Sequence, residues 1–376
     1  MELKILHCAD FHLGSPMSGV RECADIRRDE LLTSLCAVVD LCLAEDVQVL
    51  LIAGDLFDTP YVSDEICRFV EKQLSRLEIP VFISLGNHDY NAANGAYSRM
   101  ELPDNVYVFD GAFSCVEITE LNLRVCGAGF GDEYCDEALA GEFGELSDDY
   151  INILLLHGDV VSSGSSSRYN PVDVSRLARS GADYCALGHI HKRTLPTRVG
   201  KMIYAYSGSV ESRGFDETGE KGVYIGTVSK DGCNLEFKRI CKRVYHDIDV
   251  NVSGCETADD VYQAVENAFV GDMSRDLYKI TMTGKLPAHV RVNADVIRNR
   301  MAGRAFFFKT VNEIGLELDY EMIKKEHSLR GFFLNEMLAC RDKCLEDGDT
   351  VGAKKYEDAI EYGMRAFEDE VSLDEN

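Results

Sequence analysis

The chain has 376 residues, 45% hydrophobic and 28% charged, with a formal net charge of −26, a length that suggests roughly two to three domains. Such acidity excludes a generally basic nucleic-acid-binding surface, so any nucleic acid contact must be local or assisted by metal ions and a partner. The fourteen cysteines, Cys36, Cys42, Cys126 and Cys185 among them, lie in apolar segments without CxxC pairs and read as buried reduced thiols. The segment Leu3 to Leu6 reads as a strand rather than a leader, and no run approaches the ~18 apolar residues of a membrane span. A cytoplasmic protein with no membrane partner is expected.

In chain order, the apolar runs LKIL, VQVLLIA and VFISL predict three strands in the first ninety residues. Between them Leu31, Leu35, Val38, Val39 and Cys42, then Ile66, Phe69, Val70, Gln73, Leu74 and Leu77, recur at helical spacing. This βαβαβ beginning implies parallel strands with crossover helices. Short strands follow over 106–109, 114–118, 123–126, 151–156, 183–187, 203–206, 223–228 and 235–240. The fold class expected for residues 1–243 is α/β, with two mixed sheets packed face to face and helices outside. A strand (246–250), helix (258–269), strand (277–283), helix (295–300) and strand (306–310) predict a small α/β domain over 244–318. Residues 319–376 read as helical. Leu329, Phe332, Phe333, Met337 and Leu338 mark one apolar face; Tyr356, Ile360, Met364 and Phe367 mark another, with Gly348 in the turn. Ser162–Ser167 reads as a solvated loop.

Five short segments sit just after predicted strands: Asp10-Phe11-His12, Gly54-Asp55-Leu56-Phe57-Asp58, Gly86-Asn87-His88-Asp89, His157-Gly158-Asp159 and Gly188-His189-Ile190-His191. In extended backbone, residues i and i+2 point the same way, so Asp10 and His12 can approach one metal together. His189 and His191 share a face too, and a slight twist can send them to adjacent metals. Asp55 can bridge two cations, Asn87 offers a carbonyl and His157 a nitrogen. Seven such ligands suit two divalent ions ~3.5–4 Å apart, which lower the pKa of a bridging water to near ~7 and hold a phosphoryl oxygen. The N/O donor set suits manganese first, with iron or zinc as alternatives. His88, next to ligand Asn87, points elsewhere and is placed to be a general acid. Asp58 is placed to orient its imidazole. His7, His246, His289 and His327 lack such context and read as structural or surface residues.

The motifs DxH, GDxxD, GNHD, a lone HG and GHxH, in this order, are similar to those of the calcineurin-like metallophosphoesterase superfamily. That resemblance implies a sandwich of two mixed sheets flanked by helices. It also implies a first metal on Asp10, His12, Asp55 and His191, a second on Asp55, Asn87, His157 and His189, and a proton-transfer role for His88. The stretches ILHCADFHLGSP, GDLFDTP, DYCALGHIHKR and YSGSVESRGFDETGEKGVYI, and the later SLRGFF, look like the SbcD-type DNA repair exonucleases, particularly their YhaO-like bacterial branch. Those relatives place a capping domain after the phosphoesterase and then helices that dock on an SMC-like ATPase.

The resemblance therefore implies a metal-dependent nuclease acting on DNA, with an SMC-like ATPase as partner and a homodimer left open. Another phosphatase or small-molecule phosphodiesterase, or a regulatory scaffold for the ATPase, are the alternatives. Ser/Thr phosphatases of the superfamily follow GDxxD with an Arg-Gly pair, whereas Asp58 is followed by Thr59-Pro60, which favours a diester. Lys192-Arg193, Arg198, Lys201, Arg213 and the Lys238-Arg239 and Lys242-Arg243 pairs are candidate phosphate contacts. For the 238–243 cluster, a solvated strand face is an equal expectation.

Overall fold

The computed structural model describes residues 2–140, 146–287, 289–301 and 303–367. The chain forms two compact units, Met1–Tyr245 and His246–Asn376. In chain order the strands of the first unit are β1 (Glu2–Cys8), β2 (Val49–Ala53), β3 (Val81–Ser84), β4 (Val106–Phe109), β5 (Ser114–Ile118), β6 (Leu123–Gly127), β7 (Ile151–His157), β8 (Tyr184–Gly188), β9 (Thr197–Val199), β10 (Met202–Tyr206), β11 (Gly222–Ser229) and β12 (Gly232–Arg239).

They make two six-stranded mixed sheets, ordered β12-β11-β1-β2-β3-β4 and β5-β6-β7-β8-β10-β9. In the first, β1 to β4 are parallel and β11 and β12 close one side antiparallel. In the second, β6, β7, β8 and β10 are parallel, with antiparallel strands at both edges. The α/β sandwich expected from the alternating pattern is the one found. Every residue of β2 is buried, as a strand covered on both faces requires. Its odd residues Val49, Leu51 and Ala53 join Leu3 and Ile5 in one core with Val125, Ile153, Leu155 and Ala186 of the second sheet. The crossover helix Ala24–Ala44 buries Leu31, Leu35, Val38, Val39 and Cys42, the residues whose spacing predicted it. The next, Asp64–Leu74, is capped by Ser63, whose hydroxyl accepts from the Ile66 N–H at 3.4 Å.

His7 ties the two sheets together. Its Nε2 lies 3.2 Å from the Leu187 carbonyl, which can only accept, so Nε2 carries the proton and Nδ1 accepts from the Tyr184 hydroxyl at 2.8 Å. Complete burial pushes its pKa down to about 3, consistent with a structural histidine.

The reading of the cysteines as uniformly reduced thiols needs one correction. Cys115 and Cys126 are directly paired across β5 and β6, with Cα atoms 4.0 Å apart, and form a disulfide. Strand register brings them together, and their spacing in sequence carries no sign of it. Twelve other cysteines are free.

The second unit holds β13 (Tyr245–Asn251), β14 (Leu277–Thr283), β15 (Lys285–Pro287), β16 (Phe307–Asn312) and β17 (Gly315–Glu317), in sheets ordered β13-β14-β16 and β15-β17. Val250, Val261, Val265, Ile280, Met282 and Ile297 build its core. The helix Ala258–Asn267 starts at a capping box between Thr257 and Asp260. The helices Leu329–Glu346 and Thr350–Phe367 turn at Gly348 (φ 77°) and pack through Leu334, Leu338, Ile360 and Met364. The apolar face expected for the first of these is only partly right: Leu329 and Phe332 are 73% and 65% exposed. The buried stripe runs through Leu334 and Leu338 at i, i+4, which leaves those two off the packed side. Among the described residues, no helix is long and apolar enough to cross a membrane.

Candidate metal centre

The five motif segments sit at the carboxyl ends of parallel strands from both sheets. Asp10 and His12 follow β1, Asp55 follows β2, Asn87 follows β3, His157 ends β7, and His189 and His191 follow β8. Asp10, His12, Asp55 and His189 have φ of 54°, 51°, 51° and 101°, four of the nine positive-φ non-glycine residues among the described residues. Such backbone is costly and persists where surrounding contacts enforce it, typically at functional sites. Close approach needs glycine as well. A Cβ at Gly86 would overlap the Asp55 carboxylate, and one at Gly188 would overlap the Ala53 carbonyl.

All seven predicted ligands are brought together. Asp10, His12, Asp55 and His191 each offer an atom within 4.8 Å of the others. His157 Nε2 and His189 Nδ1 both lie 3.1 Å from Asn87 Oδ1, and His157 Nε2 is 3.4 Å from Asp55 Oδ2. Asp10 accepts from the His189 N–H at 3.0 Å, and Asp55 accepts from the His88 N–H at 2.9 Å.

Each of the four histidines also has one ring nitrogen facing an outer acceptor. His157 Nδ1 donates to the Ala53 carbonyl at 2.9 Å and His191 Nδ1 to Glu217 Oε1 at 2.9 Å. His12 Nδ1 is 3.3 Å from Asp58 Oδ1, and His189 Nε2 is 3.4 Å from Asp159 Oδ1, ion-pair distances rather than aligned hydrogen bonds. Asp159 is itself held by the Ser167 hydroxyl at 2.6 Å. With the Nδ1 protons turned outward, the Nε2 lone pairs of His12 and His191 face each other at 3.1 Å. Lone pairs from His157 and Asn87 meet in the same way. Only protons or cations reconcile such a set of acceptors, so the donors present fit divalent cations.

Electrostatics agree. Burial alone would raise the Asp55 carboxyl, but the charge and hydrogen bond of His157, with the charges of His12 and His88, hold it well below the usual carboxylate range. Burial would likewise lower His157; the Asp55 charge and hydrogen bond, helped by Asp10, lift it to about 9. Burial and the neighbouring His157 push His189 down to about 4. Burial opposes ionisation of Glu217, yet the hydrogen bond and charge of His191 bring it to about 2. The negative field that retains a proton on His157 is the field that would hold a cation in its place.

Asp58 meets His88 with a hydrogen bond to its backbone rather than to its carboxylate. His88 Nδ1 donates to the backbone carbonyl of Asp58 at 3.0 Å, while the Asp58 carboxylate turns to His12 and takes a bond from Arg213 Nη1 at 2.7 Å. The left-handed backbone at Asp55 starts this loop, and spacing alone does not reveal which way the carboxylate three residues on will point. His88 is half-buried, with its Nδ1 proton on the Asp58 carbonyl.

Other contributors went unread in the sequence. Asp89, fully buried, accepts from the N–H groups of Gly86 (2.7 Å) and Leu56 (2.8 Å) and from the Tyr97 hydroxyl (2.9 Å), so it clamps the loops carrying Asp55 and Asn87. Burial and the charge of Asp55 raise its carboxyl to about 6. Glu217 lies 26 residues beyond His191, and Asp159 closes the His157-Gly158-Asp159 segment. The segment bearing Glu217 is anchored by fully buried Arg27, which pairs with Glu30, with Glu211 at 2.7 Å and with the Ser212 carbonyl at 3.0 Å. Removing one partner from such a buried cluster typically costs about 3–5 kcal/mol.

Most of the basic residues flagged as phosphate contacts have carboxylate partners. Arg213 is held by Asp58, Lys201 by Asp148 (3.0 Å), Arg239 by Glu220 (3.2 Å) and Arg243 by Glu30 (2.8 Å); Lys238 lies 3.9 Å from Glu45. Within the 238–243 cluster, Lys238, Arg239 and Arg243 thus face carboxylates, which weighs against phosphate contacts there. Arg193, just beyond His191, lies over the Phe237 ring at 3.9 Å, and Lys192 beside it is exposed.

Residues 3–193 match the model of a family described as calcineurin-like phosphoesterase. The chain is 30% identical over 279 residues to the uncharacterized metallophosphoesterase YhaO of Bacillus subtilis (strain 168), across 71% of this chain and 68% of that one. Two solved structures are also similar. A Thermus thermophilus protein is 15% identical, with coverage of 64% of this chain and 100% of that one and a TM-score of 0.40. A dimetal phosphatase from Danio rerio is 12% identical, with 62% and 98% covered and a TM-score of 0.40.

Proposed function

The chain belongs to the calcineurin-like phosphoesterase family, and we propose that within it the protein is a two-cation phosphodiesterase whose substrate is DNA. One observation carries the reading: seven donor atoms from five strand ends converge, and each histidine among them is backed on its other nitrogen. Asp10, His12, Asp55 and His191 would hold the first cation, and Asp55, Asn87, His157 and His189 the second. When bound, the pair supplies Lewis acidity toward a phosphoryl oxygen and an activated water, so no Ser or Cys nucleophile is required. Manganese is the proposed metal, with iron or zinc compatible with the same donors.

The chain's own residues do the rest. Asp55 spans the two sites. His88, its Nδ1 proton held by the Asp58 carbonyl, delivers a proton from Nε2 to the departing oxygen. Arg213, which reaches the centre, is engaged by Asp58 and lies 3.5 Å from Glu217. It is poorly placed to clamp the second charge of a monoester, which favours a diester. Lys192 and Arg193 after the last histidine offer the local positive charge that an acidic chain needs near a polyanion.

The test is a substrate panel on manganese-loaded protein: linear double-stranded DNA, single-stranded DNA, bis-p-nitrophenyl phosphate and a phosphomonoester. Hydrolysis of DNA and the small diester is expected, with the monoester turned over at least ~10-fold more slowly. Turnover of the monoester alone would make the protein a phosphatase, and no turnover with cations bound would make it a scaffold.

The partner reading extends to the second unit. Exposed Leu329 and Phe332 on the helix Leu329–Glu346 support docking of an SMC-like ATPase on the C-terminal helices. Replacing both by glutamate should abolish co-elution with such an ATPase and leave diester hydrolysis intact. Co-elution that survives would move the docking site elsewhere.

A further inference from the structure

We propose that Glu217 and Arg213 are positioning residues for the first cation, locking the rings of His191 and His12 through one closed side-chain circuit. The inference rests on the two-cation reading. The circuit runs from His191 Nδ1 to Glu217 Oε1 (2.9 Å), from Glu217 to Arg213 Nε (3.5 Å) and from Arg213 Nη1 to Asp58 Oδ1 (2.7 Å). It continues from Asp58 Oδ1 to His12 Nδ1 (3.3 Å) and closes where the two Nε2 atoms stand 3.1 Å apart. The Glu217 carboxylate takes the hydrogen bond of His191 Nδ1, the Asp58 carboxylate stands beside His12 Nδ1 without an aligned bond, and a single guanidinium offsets the repulsion between the two carboxylates.

Glu217 is not free to drift. It is 7% exposed; its Oε2 accepts from the Ser209 hydroxyl at 3.3 Å and from the Arg213 N–H at 3.4 Å, and the Ser212 hydroxyl donates to its carbonyl at 2.7 Å. The second site is built differently. His157 rests on a backbone carbonyl, and His189 faces Asp159, whose side chain is 30% exposed. Carboxylates behind metal-binding imidazoles fix the tautomer and raise ligand basicity, and their loss typically weakens metal binding about 10–100-fold. That loss should fall on the first cation and spare the second.

The experiment is equilibrium dialysis of full-length protein against manganese, with bound metal counted, beside long-range ¹H–¹⁵N spectra of the histidine rings in the metal-free protein. Wild type should bind two manganese ions and show His191 with its proton on Nδ1. Glu217→Ala should weaken one ion by about 10–100-fold, leave the other unchanged and mix the His191 tautomers. Glu217→Gln, which keeps an acceptor but no charge, should fall between, and it carries the same test should the alanine variant fail to fold. Wild-type affinities and an unchanged His191 tautomer in a folded Glu217 variant would overturn the proposal. Wild-type protein that binds no manganese would instead overturn the two-cation reading beneath it.

Discussion

Asp55→Ala protein is expected to lose diester hydrolysis by more than the about 10²–10³-fold that removal of a single electrostatic donor costs. Asp55 reaches both halves of the centre, with its Oδ2 3.6 Å from His12 Nε2 and 3.4 Å from His157 Nε2. Without it, neither cation keeps a full set of donors, and manganese content should fall at both sites rather than one. The fold should survive. The loop backbone beside Asp55 is fixed by Asp89, which takes the N–H groups of Leu56 and Gly86 independently of the Asp55 side chain. Equal cooperativity of unfolding for variant and wild type, measured in denaturant, would separate lost chemistry from lost structure. Retained hydrolysis in folded Asp55→Ala protein would remove Asp55 from the centre.

His88→Ala should behave in the opposite way toward metal. His88 contributes its backbone N–H to Asp55, which alanine also supplies, so both cations should remain bound. Turnover of DNA should fall by about 10²–10⁴-fold, the range for loss of a positioned general acid. The loss should depend on the leaving group. A deoxyribose alkoxide needs a proton as it departs, whereas p-nitrophenolate leaves unaided, so bis-p-nitrophenyl phosphate should suffer much less. Equal losses on the two substrates would assign His88 to binding rather than to proton transfer.

The strand ends were legible because the signal is local. An apolar run followed by Asp-x-His or Gly-Asn-His places polar donors at a sheet edge whatever the rest of the chain does, and β1, β2, β3, β7 and β8 end where those motifs begin. The mixed character of the sheets was legible from the change of pattern after Asn87. What sequence spacing hid is directional or distant. Asp58 lies in the GDLFD loop, but its carboxylate pairs with Arg213 beside His12, and it is its carbonyl that takes the His88 hydrogen bond. Glu217 and Arg213 lie in a segment that reaches the centre through tertiary contacts, including anchorage of Glu211 and Ser212 by Arg27. The pairing of Cys115 with Cys126 depends on strand register. Among the apolar residues of the C-terminal helices, Leu329 and Phe332 show that hydrophobicity without the right offset leaves a side chain in solvent.

The seven donors are proposed to hold two cations together, and hydrolysis is expected to show a strict dependence on both. Its most direct test is to strip the protein with chelator, restore manganese stepwise, and follow bound metal and bis-p-nitrophenyl phosphate turnover in the same samples. Turnover should stay near background until the second ion binds and should vanish again on chelation. Full turnover in the stripped protein, or at a single bound ion, would contradict it.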